Sequence, residues 1–433
     1  MSRPLDILIA TSPYSGHVAP LAPIARVLVD RGHHVRWCTG REFTDQVKAT
    51  GAVFEPMDLA TDPDGRAIDE VYPERAALKG IAQLRFDIRS VFLDPIPAQL
   101  ADMRRLTAER RADVIVHDAT YGGAASLSAL GGPPAVSVGT SPLSLPSPHV
   151  APFGLGLQPG TGPLARLRNR ALQVLLDRVV LKDVHTRLHE IQAELGLPDV
   201  RRRTMAGISP ALHLQNGLAS LEHPRPDLPA QVRFVGALVD RAGVDGAPPW
   251  FGEVENSTRP VVHVTQGTVA DGDLEHLVVP TLRALADEDV LVVAGTGSRD
   301  TREIADVPAN ARLAPFVPHG LLMPALSVMV TNGGFGAVQQ ALAHGVPLVV
   351  AGGSEDKPEV AARVARAGVG IDLRTAKPKP EAIRAAVRTL LDSAEHRSRA
   401  RAMAAEYRAH DAGTTAADLI EELVGSGTVV PRS

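Results

Sequence analysis

Cysteine is nearly absent from these 433 residues, aromatic side chains are scarce, and neither dense basic runs nor long apolar stretches occur. The single cysteine, Cys38, excludes an intrachain disulfide and any metal site built on several thiolates, and it suits a reducing compartment. With aromatics at 3% of the chain, stacking on a ring can serve only a few positions. Lys and Arg number 45 against 49 Asp and Glu, a formal charge of -4 without a dense Lys/Arg run of the kind that marks a nucleic-acid or membrane-surface patch, which argues against nucleic acid as a partner. No apolar stretch reaches the ~18 residues of a membrane-spanning helix, and no basic leader precedes an apolar core. The expectation is a cytoplasmic protein without a membrane partner. No acidic cluster is read as tying a metal to a diphosphate, and His33 and His34 read as solvated turn residues at a strand start.

What is present is an alternation of short β-rich runs and longer amphipathic ones. The first half reads LDILIATS, HVAPLAPIARVLVDRG, HHVRWCTG, REFTDQVKATG and AVFEPMD, then ADVIVHD, GGAASLSALGG and PPAVSVGT. This order implies a parallel sheet with helices on both faces. The helix beginning near His17 sets Val18, Leu21, Ala25, Leu28 and Val29 on one stripe, with Pro20 in its first turn and Gly32 ending it. Residues 141–163 are rich in Pro, Gly and Ser and read as a long functional loop, and helical pattern resumes from Leu164 to Leu195.

The second half repeats the pattern from PVVHVTQGT to VGIDLR. The fold class is therefore α/β, two Rossmann-like domains facing each other across a cleft, with ligands at the carboxyl ends of the strands. The expected organisation is a first Rossmann-like domain over 1–216, a linker region over 217–250, a second Rossmann-like domain over 251–405, and a C-terminal helix over 406–433 packing back towards the first domain.

The stretch VMVTNGGFGAVQQALAHGVPLVV is a strand, a glycine-rich turn and a helix. Gly333, Gly334 and Gly336 let the backbone approach a ligand, and free amides at the helix start form an anion site. Together with FVPHGLLMPALS before it and AGGSEDKPEVAARVARAGVG after it, this segment resembles the donor-binding signature of the UDP-glycosyltransferase family, glycosyltransferase family one. The opening SGHVAPLAPIARVLVDRGHHV is similar to the start of the same family, in its bacterial macrolide and natural-product branch.

That resemblance implies a GT-B, metal-independent, inverting enzyme. It would carry a sugar from a UDP- or TDP-linked donor to a hydroxyl of a small apolar polyketide, macrolide, ansamycin or flavonoid. Phe316, Val317 and His319 fall on the base-binding segment, Gly267 and Thr268 on a loop facing the diphosphate, and Glu355, Asp356 and Lys357 on the donor-sugar contact. The sequence departs from the family at Asn332, where a phosphate-binding histidine is usual, at Ala337, where a hydroxyl is usual, at Gln340, where a ribose-binding glutamate is usual, and at Lys357, where glutamine is usual. No cofactor is implied, the nucleotide sugar being a co-substrate, and the chain is expected as a monomer or homodimer.

Transfer to a hydroxyl needs a general base, and a histidine in the turn SPYSGHV after the first strand can face the cleft. His17 matches the family's base and Asp118, at the end of ADVIVHD, its carboxylate partner. On the residues alone His17 also fits a helix cap or surface position, Asp118 a cap for the following helix, and His117 the opposite face of its strand. Other readings are a non-catalytic nucleotide-sugar or small-molecule binding relative, a sugar-nucleotide epimerase, and a transferase with a lipid-linked acceptor. Against the last stands the lack of an evident basic amphipathic surface helix.

Overall fold

Most strands are short aliphatic runs buried on both faces, the pattern of parallel sheets covered by helices. The computed structural model describes residues 3–197, 207–239, 246–267, 273–297, 299–353 and 355–426. The N-terminal strands are β1 (Asp6–Ala10), β2 (His34–Thr39), β3 (Val53–Pro56), β4 (Val114–Asp118), β5 (Ala135–Gly139), β6 (Leu212–Asn216) and β7 (Val232–Gly236). They form one parallel sheet in the order β3-β2-β1-β4-β5-β6-β7. The second parallel sheet takes β8 (Val261–Thr265), β9 (Leu291–Gly295), β10 (Ala311–Ala314), β11 (Leu326–Thr331), β12 (Leu348–Val350) and β13 (Gly370–Asp372) in the order β10-β9-β8-β11-β12-β13. Each sheet reverses its winding once, between β1 and β4 and between β8 and β11, and such switch points open a crevice for ligands.

The stripe beginning at His17 is folded in three pieces, Ser15–Val18, a 3₁₀ turn Ala19–Leu21 holding Pro20, and Ala22–Asp30. Val18, Leu21, Ala25 and Leu28 are fully buried on the sheet, and Val29 is partly so. Gly32 takes φ 83° to close the helix. On the same face Ala416, Ala417, Ile420 and Leu423 of the last helix, Ala412–Ser426, complete the N-terminal core.

The segment 217–250, expected as a linker, supplies structure to both domains. Leu218 and Leu221 enter the C-terminal core beside Phe335, Val338 and Tyr407, after which the chain returns as β7, the seventh strand of the N-terminal sheet. Phe251 and Val254 then lie in the C-terminal domain, and the chain crosses back once more between helices Ala394–Arg408 and Ala412–Ser426. Gly217 and Gly236 exchange backbone hydrogen bonds of 2.8 and 3.1 Å, and a Cβ on Gly236 would lie 2.8 Å from His410 Cβ, so the crossing points gather in one place.

A second tie runs through charge. Arg363, on the helix Lys357–Ala367, is buried between Glu222, at 2.5 Å, and Glu359, at 2.9 Å, both also buried. Glu359 Oε1 accepts from the amides of Gly154 and Gly156 at 3.0 and 2.8 Å, and Glu222 Oε2 from that of Leu143 at 3.2 Å. The Pro- and Gly-rich loop, which has neither helix nor strand from Thr140 to Thr161, is thereby held against the C-terminal domain.

Removing one member of such a buried ion network strands the others without compensation. Arg363→Leu is therefore expected to cost about 3–5 kcal/mol in denaturant unfolding, and an unchanged midpoint would contradict this role. A pH effect follows from buried histidines. Burial pushes His213 down to about 4 and His263 to about 3; burial and the neighbouring arginines push His223 down to about 3. The unfolded chain takes up these protons below about pH 6.5 while the folded one does not, so stability falls as pH drops from there, by roughly 2 kcal/mol per histidine at pH 5. A melting temperature that stays constant between pH 7.5 and 5 would refute that expectation.

Candidate active site

Strands β1 and β4 are neighbours, with Ala10 opposite His117, so the turn after β1 and the end of β4 meet at the switch point. His17 projects from the short helix Ser15–Val18, and its Nδ1 lies 3.0 Å from Asp118 Oδ1. Asp118 is fully buried and accepts further bonds from the Ser12 amide at 2.6 Å, the Thr120 amide at 2.8 Å and the Thr120 hydroxyl. Burial pushes its pKa up, but the adjoining His17 and these donors outweigh burial and hold it at about 2, so the carboxylate is ionised near neutrality.

The helix after β4, Gly122–Ala129, has Tyr121 at its N-cap without a side-chain cap bond, so Asp118 does not serve as its cap. His117 is buried on the other side of the strand, with Nδ1 on the Asp118 carbonyl at 2.8 Å. His33, expected as a solvated turn residue, is buried instead. Its Nδ1 accepts from the Leu5 amide at 3.1 Å and its Nε2 lies 2.9 Å from Glu421 of the last helix, a long-range contact with no local sequence signal.

Three hydroxyl residues that belong to no sequence motif join the pair. Thr120 Oγ1 lies 3.2 Å and Thr140 Oγ1 3.4 Å from His17 Nδ1, and Ser12 Oγ is 2.9 Å from Thr120 Oγ1. Ser12, Thr120 and Thr140 all stand one or two residues past the ends of β1, β4 and β5; that position was the signal available to find them. The rings of Tyr14 and Phe92 flank His17, with centroids at 6.2 and 5.9 Å, Phe92 coming from the helical stretch Asp87–Leu93.

The second sheet repeats this arrangement. Gly267 follows β8 and Asn332 follows β11, adjacent strands at the other switch point. Gly267 has φ 82°, and a Cβ there would lie 3.6 Å from Asn332 Nδ2, which itself bonds the Gln266 carbonyl. Thr268 lies outside the described residues. Gly333 takes φ 91°, a conformation costly for any side chain. The amides of Gly333 and Gly334 donate to Thr331 Oγ1 at 3.2 Å and Asn332 Oδ1 at 3.3 Å. The free donors thus sit one step further on. The helix Phe335–Ala343 leaves the amides of Phe335, Gly336 and Ala337 without intrahelical partners, and a Cβ on Gly336 would meet nothing within 4 Å.

Around this turn, Phe316 is 60% exposed and available for stacking, whereas Val317 is buried. His319 Nδ1 lies 3.0 Å from Gln340 Oε1, and its ring packs edge-on to His263 at 5.5 Å. Glu355, at φ 57°, pairs with Lys357. Asp356, between them, is pushed up to about 6 by burial and the charge of Glu355, against Lys357, and it stands close enough to His17 to feel that side chain's charge. The structure therefore brings His17 and Asp118 together and sets the Asn332–Gln340 turn and Glu355–Lys357 around the other half of the cleft. Among the described residues, no group of three or more His, Cys, Asp or Glu is arranged to hold a metal, and no helix is long and apolar enough to cross a membrane.

Comparison with known proteins bears on this geometry. Residues 279–423 match the family model of the erythromycin biosynthesis protein CIII-like C-terminal domain. The chain is 46% identical to 4'-demethylrebeccamycin synthase of Lentzea aerocolonigenes over 421 residues, covering 96% of this chain and 99% of the relative. It is 34% identical to UDP-glucosyltransferase A1 of Starmerella bombicola, covering 97% and 92%. The crystal structure of the kitacinnamycin glycotransferase superposes with a TM-score of 0.75 at 24% identity, over 98% and 99% of the two chains, and agrees in fold. With its paired Rossmann-like domains of GT-B type, the chain belongs to the UDP-glycosyltransferase family, in the bacterial natural-product branch, and is a nucleotide-sugar-dependent hexosyltransferase.

Proposed function

We propose that the enzyme moves a hexose from a UDP- or TDP-linked donor to a hydroxyl of a small, largely apolar natural product of polyketide, macrolide, ansamycin or flavonoid type, with inversion at the anomeric carbon and His17 as general base. One observation carries the reading. His17 Nδ1 is held 3.0 Å from an ionised, buried Asp118, while Nε2 makes no hydrogen bond with any described residue and the side chain stays 19% exposed. The carboxylate fixes the proton on Nδ1 and leaves the Nε2 lone pair to accept the acceptor's hydroxyl proton. As that proton moves to Nε2, the acceptor oxygen forms its bond to the anomeric carbon. The bond from that carbon to the diphosphate oxygen breaks, and the nucleoside diphosphate leaves with the electron pair.

The developing negative charge on the diphosphate would meet the free amides of Phe335, Gly336 and Ala337 and the positive end of their helix dipole. Such a site offsets the leaving charge without a metal or cofactor. Phe316 offers an open ring face to the base, Gln340 a neutral contact for the ribose, and Asp356 with Lys357 a polar pair for the sugar. On the acceptor side, Tyr14 and Phe92 make an apolar wall beside the base, which suits a ring-rich acceptor. The relatives support the same class of chemistry, one being named for synthesis of 4'-demethylrebeccamycin and the other as a UDP-glucosyltransferase.

His17→Ala is expected to lower kcat by ~10²–10⁴ while the donor KM changes little, because donor contacts lie on the other domain. Asp118→Asn should lose less, and the double variant little more than His17→Ala, since the two act as a unit. Wild-type turnover by both single variants would remove His17 from the mechanism. On the donor side, a Cβ at Gly336 meets nothing in the fold but stands beside the free amides, so with Gly336→Ala affinity for UDP or TDP by calorimetry should fall about tenfold. Unchanged affinity would place the diphosphate elsewhere.

A further inference from the structure

The helix Gly162–Leu175, continued by a π-helical stretch Leu176–Val180, has its polarity reversed. Leu164 is 82% exposed, Leu167 63%, Val174 48%, Leu175 51% and Val179 66%, with exposed Ala171 among them. Spacings of three and four put these side chains on one outward face. The inward face is anchored, since buried Asn169 donates to the Pro148 carbonyl at 3.0 Å and Leu176 and Val180 pack beside Leu93, Ile96, Leu181 and Val184.

The unpaired charge around the stripe has one sign. Arg166, Arg170 and Arg178 on the helix, with Arg89 and Lys182 beside it, are exposed, and their side chains make no hydrogen bond or ion pair with any described residue. The nearby carboxylates are engaged. Asp177 accepts from Gln173 at 2.9 Å and faces His185 at 3.4 Å, and Asp183 pairs with Arg85 at 2.9 Å. Next to Val179 a cavity of about 420 Å³ has Arg89, Lys182 and Thr186 in its wall together with two ion pairs, Arg85 with Asp183 and Arg187 with Glu190, so the charge left unpaired there is positive.

We propose that this face docks on an anionic lipid bilayer, the leucines lying at the boundary of head groups and acyl chains and the arginines against lipid phosphates. A line of apolar side chains along one helix, edged by cations, suits a flat apolar and anionic partner. A second copy of the chain fits less well, because a two-fold contact would set cations against cations with no free carboxylate on the face to meet them. The sequence-based expectation of no membrane partner rested in part on the lack of an evident basic amphipathic surface helix, and this proposal departs from it at the helix bearing Leu164 and Leu167. If the acceptor is apolar, as the functional reading above holds, docking would set the enzyme where such molecules collect, but binding to lipid does not depend on that reading.

The test is sedimentation of the full-length enzyme with phosphatidylcholine vesicles, with and without phosphatidylglycerol, in the absence of donor and acceptor. The wild type should partition at least about tenfold more onto the anionic vesicles, and high salt should reduce this. The doubly substituted Leu164→Asp, Leu167→Asp variant and the separate Arg166→Glu, Arg170→Glu variant should each lose the binding while keeping wild-type turnover on a water-soluble acceptor. Failure to sediment, or equal partition onto neutral and anionic vesicles, would overturn the proposal. So would a wild-type dimer in analytical ultracentrifugation that Leu167→Asp dissociates, which would assign the face to a second copy.

Discussion

The N-terminal half of the cleft depends on one buried carboxylate. Asp118 is fully buried, so its charge persists because the Ser12 amide, the Thr120 amide and hydroxyl, and the His17 ring converge on it. Those donors come from the ends of two strands that are adjacent only because the sheet reverses its winding there. The same contact that makes a buried charge tolerable orients an imidazole, so solvation of Asp118 and presentation of His17 are one requirement.

The C-terminal half solves the opposite problem. There the protein leaves donors unsatisfied, three amides at the start of Phe335–Ala343, and uses neighbouring side chains to fix the turn that exposes them. Asn332 takes the Gln266 carbonyl with its nitrogen and the Gly334 amide with its oxygen, joining the loop after β8 to the turn after β11. A neutral amide donates and accepts at once, which explains how Asn332 serves in a position where the resemblance leads one to expect histidine.

Much of this was legible because strand, turn and helix signals are local. The alternating apolar runs located both sheets, and the glycines at 333, 334 and 336 located the turn before the helix, although the free amides prove to be those of 335 to 337. What stayed hidden was long-range. Nothing near Ser12, Thr120 or Thr140 in sequence marks them as neighbours of His17, since only the sheet order brings three strand ends together. The burial of His33 depends on Glu421, far along the chain, and β7 was masked by the proline-rich segments around it. The helix bearing Leu164 and Leu167 has ordinary amphipathic spacing, and spacing alone does not say which side faces water.

The gathered chain crossings at Gly217, Gly236 and His410 have a mechanical consequence. Segments that pass between two bodies at separate places brace them like a frame, whereas segments that pass side by side act as a pivot. Gly217 and Gly236 sit at φ 108° and 93°, where torsion is inexpensive for glycine, so a few degrees of twist there become, over the length of a domain, ångströms of travel between His17 and the amides of Phe335 to Ala337. On that lever the grip of Glu359 on Gly154 and Gly156 acts as a stay, setting how far the jaws part.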